Sequence, residues 1–196
     1  MPSIRPIVHA LVVGFLLGGS VQGQSAPAGS IAGFWKLNVE LSDRMEEKLR
    51  DALRAGAYYG AAGRGSRSGG PATRQGDAIT EERELAAMIA PTLQLQILQD
   101  GNTATISDAG GQMQPLATDG SKTKESLLSG ASLETQARWK DSRLTIERKQ
   151  EKLGTVREVY FVDRDSRKLI LEIRLTSHRL PRALEFRRVY DPAPGT

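Results

Sequence analysis

Large apolar and polar residues alternate along Gly33-Phe34-Trp35-Lys36-Leu37-Asn38-Val39. A period of two is that of a strand with one buried face, so this segment predicts a first strand. The period then changes. After Ser42-Asp43, residues Met45, Leu49, Ala52 and Leu53 fall on one helical stripe, with Asp43 placed as N-cap and Glu46 as its box partner. A second short helix is predicted from about Asp77 to Ala90, with Leu85, Met88 and Ile89 as its buried contacts and Pro91 as its stop.

Beyond Pro91 the period of two returns and persists. Leu93, Leu95 and Ile97 alternate with Gln94 and Gln96, and Asp100-Gly101 supplies a tight turn. Strands follow at 103–108, 112–118 (ending at a turn at Asp119-Gly120), 122–127, 133–140, 143–150, 155–162, 168–177 and 184–190. Asp141-Ser142 joins one long pair, and Pro181 keeps the last two strands from fusing. Short strands with turns between them, and no room for crossover helices, predict antiparallel order. The expected fold is mainly β: an antiparallel meander barrel of about eight to ten strands, with one or two short helices inserted after the first strand.

Two segments fall outside this pattern. Residues 56–76 mix Gly60, Gly63, Gly65, Gly69 and Gly70 with Arg64, Arg67 and Arg74, and offer little apolar surface to offset backbone entropy. They predict a flexible Gly/Arg-rich loop rather than a nucleic-acid tract. At the N-terminus Arg5 precedes an apolar run from Ile7 to Leu17, and Val21-Gln22-Gly23 makes a small-residue cleavage site. That run is too short to span a bilayer, so 1–23 reads as a signal peptide and 24–196 as a single exported domain, periplasmic or secreted. The chain has no cysteine, which excludes disulfides, thiolate chemistry and Cys-ligated zinc. Charge is uneven: 134–190 carries 15 Lys/Arg against 9 Asp/Glu, a surface able to attract anions but equally suited to keeping sheet edges from pairing.

The segment Gly33-Phe34-Trp35-Lys36-Leu37-Asn38-Val39-Glu40-Leu41-Ser42 resembles the opening of uncharacterised secreted lipocalin-like bacterial proteins, a subgroup of which carries a Gly/Arg-rich insert. Thr118-Asp119-Gly120-Ser121-Lys122, Arg179-Leu180-Pro181-Arg182 and Phe186-Arg187-Arg188-Val189-Tyr190-Asp191 extend the likeness over most of the mature chain. The resemblance implies a lipocalin-like barrel and an exported location. It transfers no functional residue.

Catalytic chemistry finds little support. His9 lies in the signal segment and His178 has no second imidazole, no G-x-S-x-G elbow occurs, and Asp163 and Asp165 lack the glycine and glutamate of a calcium loop. We therefore expect no catalytic residues, no metal and no cofactor. Strand parity gives one positive signal. If Leu144, Ile146, Leu184, Phe186, Val156 and Tyr160 face inward, then Arg148, Arg188 and Glu158 share their faces, as Trp139 shares that of Leu133, Thr135 and Ala137. An interior charge is costly unless paired or wetted, so these residues belong either to the barrel rim or to a polar-lined cavity in which an arginine fixes a ligand carboxylate. The expected lining is Trp35, Trp139, Arg148, Glu158, Phe186 and Arg188. The favoured function is an exported non-catalytic barrel binding a small apolar, amphipathic or anionic ligand. The alternative is a barrel with a packed interior that meets a protein partner in the cell envelope.

Overall fold

The computed structural model describes residues 30–62, 82–126 and 131–194, without the side chains of 56–62. The proposed signal segment and all but 56–62 of the Gly/Arg-rich stretch lie outside them. Ten strands form: β1 Gly33–Asn38, β2 Gln94–Asp100, β3 Thr103–Asp108, β4 Met113–Ala117, β5 Asp119–Ser126, β6 Ser132–Lys140, β7 Arg143–Gln150, β8 Gly154–Val162, β9 Leu169–Thr176 and β10 Leu184–Ala193. Helix α1 spans Met45–Ala62, and residues 82–88 form α2.

All ten strands join one antiparallel sheet, in the order β4-β3-β2-β1-β10-β9-β8-β7-β6-β5. Consecutive strands pair throughout except β4 with β5, and the first strand also pairs with the last: Leu37 lies opposite Tyr190 and Asn38 opposite Val189. The sheet therefore curls into a meander barrel, stitched between β1 and β10 and unstitched between β4 and β5. At the unstitched seam β4 leans past its chain neighbour, and its Cα atoms come within 8 Å of those of β6. Strand β5 flares outward, every residue but Gly120 exposed, its other edge free. Thr118 holds the corner: its backbone N–H and its hydroxyl both donate to the Asn102 carbonyl, at 2.7 and 2.8 Å. The Asp119-Gly120 turn expected from sequence is absent; those residues begin β5 and take up an irregularity in its register. The β2–β3 turn is also displaced by one residue. Asp100 pairs with Thr103, which leaves Gly101-Asn102 as the two-residue loop.

Both helices sit at the end of the barrel where β1 finishes. Met45 and Leu49 of α1, and Leu85 and Ile89 at α2, enter the main core. Asp43 does not cap α1 as expected. Its carboxylate accepts the Arg187 N–H (2.7 Å) and pairs with Lys48 (2.9 Å), while the helix begins with the Arg44 carbonyl accepting from Lys48 N–H. Tertiary bonds to β10 have claimed the side chain that local rules assign to the cap. Helix α1 also runs on through 56–62, the first part of the stretch expected to be loop; three alanines and two tyrosines among those residues outweigh two glycines. At the opposite end Ile31 is fully buried and its carbonyl accepts the Trp35 indole N–H at 2.9 Å, closing the floor.

Two turn positions carry the backbone's strain, and both are testable. Gly154 has φ +137°, and a Cβ there would stand 2.0 Å from the Thr176 carbonyl oxygen. Gly154→Ala should cost at least about 2 kcal/mol, a fall of roughly 5 °C in melting temperature. In the β6–β7 hairpin Asp141 and Ser142 both take positive φ, 50° and 61°, which glycine adopts without penalty. Ser142→Gly should raise stability by about 0.5–1 kcal/mol, read as a shifted urea midpoint with unchanged slope.

Candidate functional site

The candidate site is built by alternation across neighbouring strands. Cα pairing sets Ala137, Ile146, Glu158, Ile173 and Phe186 in one transverse row of the inner face. The adjacent row runs Trp139, Leu144, Tyr160, Leu171 and Arg188. Each row is mostly apolar, and each carries charge to the inside. Glu158 is 8% exposed and Arg188 4%, so neither reaches the rim. Parity alone had left rim and interior open for these side chains; the fold puts them inside.

The two inward arginines have different partners. The Arg148 guanidinium contacts the Glu158 carboxylate directly, and its other arm donates to the Gln114 side-chain oxygen of β4 at 2.8 Å. Burial works against its charge, and Glu158 more than restores it, with Tyr160 and Glu125 adding smaller electrostatic support. This pair is self-sufficient, and through Gln114 it ties β7 and β8 across the unstitched seam. Arg188 has no such partner. Its guanidinium donates to the Ile89 carbonyl and, at 3.2 Å, to the Ala90 carbonyl, both at the C-terminal end of α2. Its charge also lies over the Phe186 ring, 5.5 Å from the centroid. Among the described residues no carboxylate lies within 4 Å of it. A buried cation facing only neutral acceptors is an expensive arrangement, since carbonyl dipoles recover only part of the lost hydration.

Two donors on the inner face are unspent, one of them beside this charge. The Tyr190 hydroxyl, on the same face of β10, and the Trp139 indole N–H are buried without hydrogen-bond partners. The Arg188 guanidinium approaches the Tyr190 oxygen closely enough to restrain the phenol's rise, but the hydroxyl's own proton has no acceptor among the described residues. Burial raises the Tyr190 phenol, and raises the fully enclosed Tyr160 phenol further, Glu158 adding to the effect. Both tyrosines are thus neutral donors at any ordinary pH.

The six residues expected from sequence to line the interior all have inward parity, but they do not converge. Arg188 and Phe186 cluster on β10 with Tyr190, which strand parity had not singled out. Arg148 and Glu158 satisfy each other. Trp35 belongs to the floor, its N–H taken by Ile31. The carbonyls of Ile89 and Ala90 left no trace in the sequence, because any residue supplies a carbonyl. His178 is exposed in the β9–β10 connection. A concavity of about 650 Å³ lies elsewhere, on the outer face of β7–β10 between Arg143, Arg157, Arg174 and Arg187. Its charges are largely matched, Arg174 with Glu185 at 2.9 Å and Arg143 with Glu172 at 4.0 Å. It is a solvated cross-strand ladder of the kind that stabilises a sheet surface.

The Arg148–Glu158 pair predicts an asymmetric mutational pattern. Glu158→Leu strands a buried cation and should cost about 3–5 kcal/mol in urea unfolding, whereas Arg148→Met combined with Glu158→Leu should recover most of that loss. The Tyr160 phenol, raised well above 10.0 by burial, supplies stability that is whole below about pH 10 and is lost as pH climbs toward its folded value. Tyr160→Phe should accordingly move the alkaline unfolding midpoint upward, followed by tryptophan emission.

No family model matches this chain, and no curated protein matches it. Solved structures do share its architecture at low identity. A fatty acid transporter titled REP1-NXSQ is 14% identical, with a TM-score of 0.48 over 84% of this chain and 97% of the other. Apo lipid binding protein 8 of Caenorhabditis elegans is 16% identical, with a TM-score of 0.48 over 83% and 94%. The fatty-acid-binding protein of Drosophila melanogaster brain is 17% identical, with a TM-score of 0.47 over 84% and 100%. A luciferase domain of Lingulodinium polyedrum is 13% identical, with a TM-score of 0.45 over 83% of this chain and 44% of that one.

Proposed function

We propose that the barrel is a non-catalytic carrier that takes up one amphipathic molecule bearing a single negative charge, and that it works outside the cytoplasm after loss of residues 1–23. The observation that carries this reading is the uncompensated Arg188. The inner face holds Glu158 already matched by Arg148, so one positive charge is left over, beside an unpartnered phenol. An incoming carboxylate would supply the missing counter-ion and accept from the Tyr190 hydroxyl, as a charge-assisted contact in a low-dielectric site. The apolar body would lie along Phe186, Ile173, Leu171 and Leu144, which offer no polar group to strand. Export rests on the N-terminal pattern of a basic residue, a short apolar run and a small-residue site.

A second reading has its own support. Leu144, Ile146, Ile97, Leu169 and Leu175 are 0% exposed, so no water-sized void touches them and the interior around them is already filled. A barrel so packed would serve as a rigid body for contacts made by its outer surface.

Native mass spectrometry of the chain exported by a bacterial host separates the two. The carrier should begin at Gln24 and bind one equivalent of dodecanoate. Arg188→Met should weaken dodecanoate binding by about 10- to 100-fold while leaving methyl dodecanoate unaffected. A bare mass that takes up neither probe would establish the packed barrel.

A further inference from the structure

The same arginine that lacks a counter-ion holds down part of the helical end. Its two donor arms end on the Ile89 and Ala90 carbonyls, which close the last turn of α2. Apart from the burial of Leu85 and Ile89, that turn has few polar contacts among the described residues to hold it. Its own backbone bonds, Ile89 N–H to Ala86 and Ala90 N–H to Ala87, are both 3.3 Å long and of the tighter i→i+3 kind. A cation at a helix C-terminus satisfies carbonyls that have no intrahelical partner and opposes the negative end of the dipole. Three residues beyond Ala90 the chain is anchored again, where Leu37 N–H donates to the Leu93 carbonyl. The segment 89–92 therefore depends on Arg188 from the inside and on β1 from its far side. Leu85 and Ile89, with exposures of 0% and 1%, plug the interior only while that turn stays in place.

Resting on the carrier reading above, we infer that Arg188 is a latch switched by the ligand's anion: a bound carboxylate takes its guanidinium from the Ile89 and Ala90 carbonyls and so releases the end of α2. A carboxylate is the stronger acceptor for a guanidinium, because it adds full charge–charge attraction and a bidentate fit to a contact that with a carbonyl is charge-assisted on one side only. Tyr190 adds a donor that the carbonyls do not engage. The freed carbonyls lie where the chain turns toward β2, and Ala90 is already exposed, so water can satisfy them. The closed form is then the empty form: the interior stays packed and dry until an anion arrives, and the loaded form has a loosened α2. An uncharged molecule of the same length has no hold on the latch. This ties loading to a change at one end of the barrel, where a purely apolar pocket would leave the surface unaltered.

Amide hydrogen exchange on the mature chain tests it, following the peptide that spans residues 85–93. With saturating dodecanoate, exchange there should quicken by roughly tenfold, while the β7–β9 peptides stay protected. Methyl dodecanoate should leave it unchanged. In Arg188→Met the same peptide should exchange fast without ligand and respond no further. Dodecanoate that binds without quickening 85–93, or an ester that quickens it equally, overturns the latch and leaves the carrier intact. Failure of dodecanoate to bind at all overturns the carrier reading, and the latch with it. The wild-type comparison needs no variant, so a poorly folded Arg188→Met chain cannot obscure the result.

Discussion

The pairing of the first strand with the last is the constraint on which the rest of this molecule hangs. β1 and β10 meet antiparallel with Leu37 against Tyr190, and side chains reinforce the seam on both sides. Asn38 donates to the Asp191 carboxylate at 2.8 Å, Lys168 pairs with the same group, and together they hold it below the usual carboxylate range. The Ser42 hydroxyl donates to the Asn38 carbonyl and accepts the Val189 N–H, and Asp43 grips Arg187 at both its backbone N–H and C=O. A chain that closes on its own ends must bring whatever follows β1 next to β10. Here that is the helical segment, and β10 meets it with an arginine facing inward.

The opposite seam shows what happens where the constraint is missing. β4 and β5 share no hydrogen bonds, β4 swings in toward β6, and β5 is left with both faces in water. Such an edge invites pairing with another chain, and the residues on it answer that hazard. Lys122 and Lys124 project from β5 and pair with Glu134 of β6, at 2.8 and 3.8 Å, which keeps charge along the free edge. Inside the seam the polar chain from Glu158 through Arg148 to Gln114 does the work that backbone ladders do elsewhere in the sheet.

Burying two charges and most of a third in a barrel of this size needs a reason. The Arg148–Glu158 pair has a structural one, since through Gln114 it joins β7 to β4, strands that the backbone does not pair. Arg188 holds the end of α2 but leaves its charge without a counter-ion, and it is this imbalance that separates the site from an ordinary core. The contrast also explains why two arginines of equal parity, on strands of equal character, have different roles.

Most of the barrel was legible in the sequence. The alternation along β3, β6, β7, β8 and β9 marks those strands to within a residue or two at each end, because a half-buried strand must alternate whatever its neighbours are. The same rule set Arg148, Glu158 and Arg188 on the faces of their apolar strand neighbours from spacing alone, and left open whether they sat at the rim or inside. Where local signals competed with distant partners they misled. Asp43 reads as a helix cap but serves β10, and Asp119-Gly120 reads as a turn but begins a strand, since β4 and β5 part company there instead of forming a hairpin. What only the tertiary structure decided is which inward charges are matched. Parity depends on a residue's own strand and is written locally. A counter-ion depends on two strands meeting at one register, and the acceptors for Arg188 are main-chain carbonyls 98 and 99 residues away, which no side-chain pattern encodes.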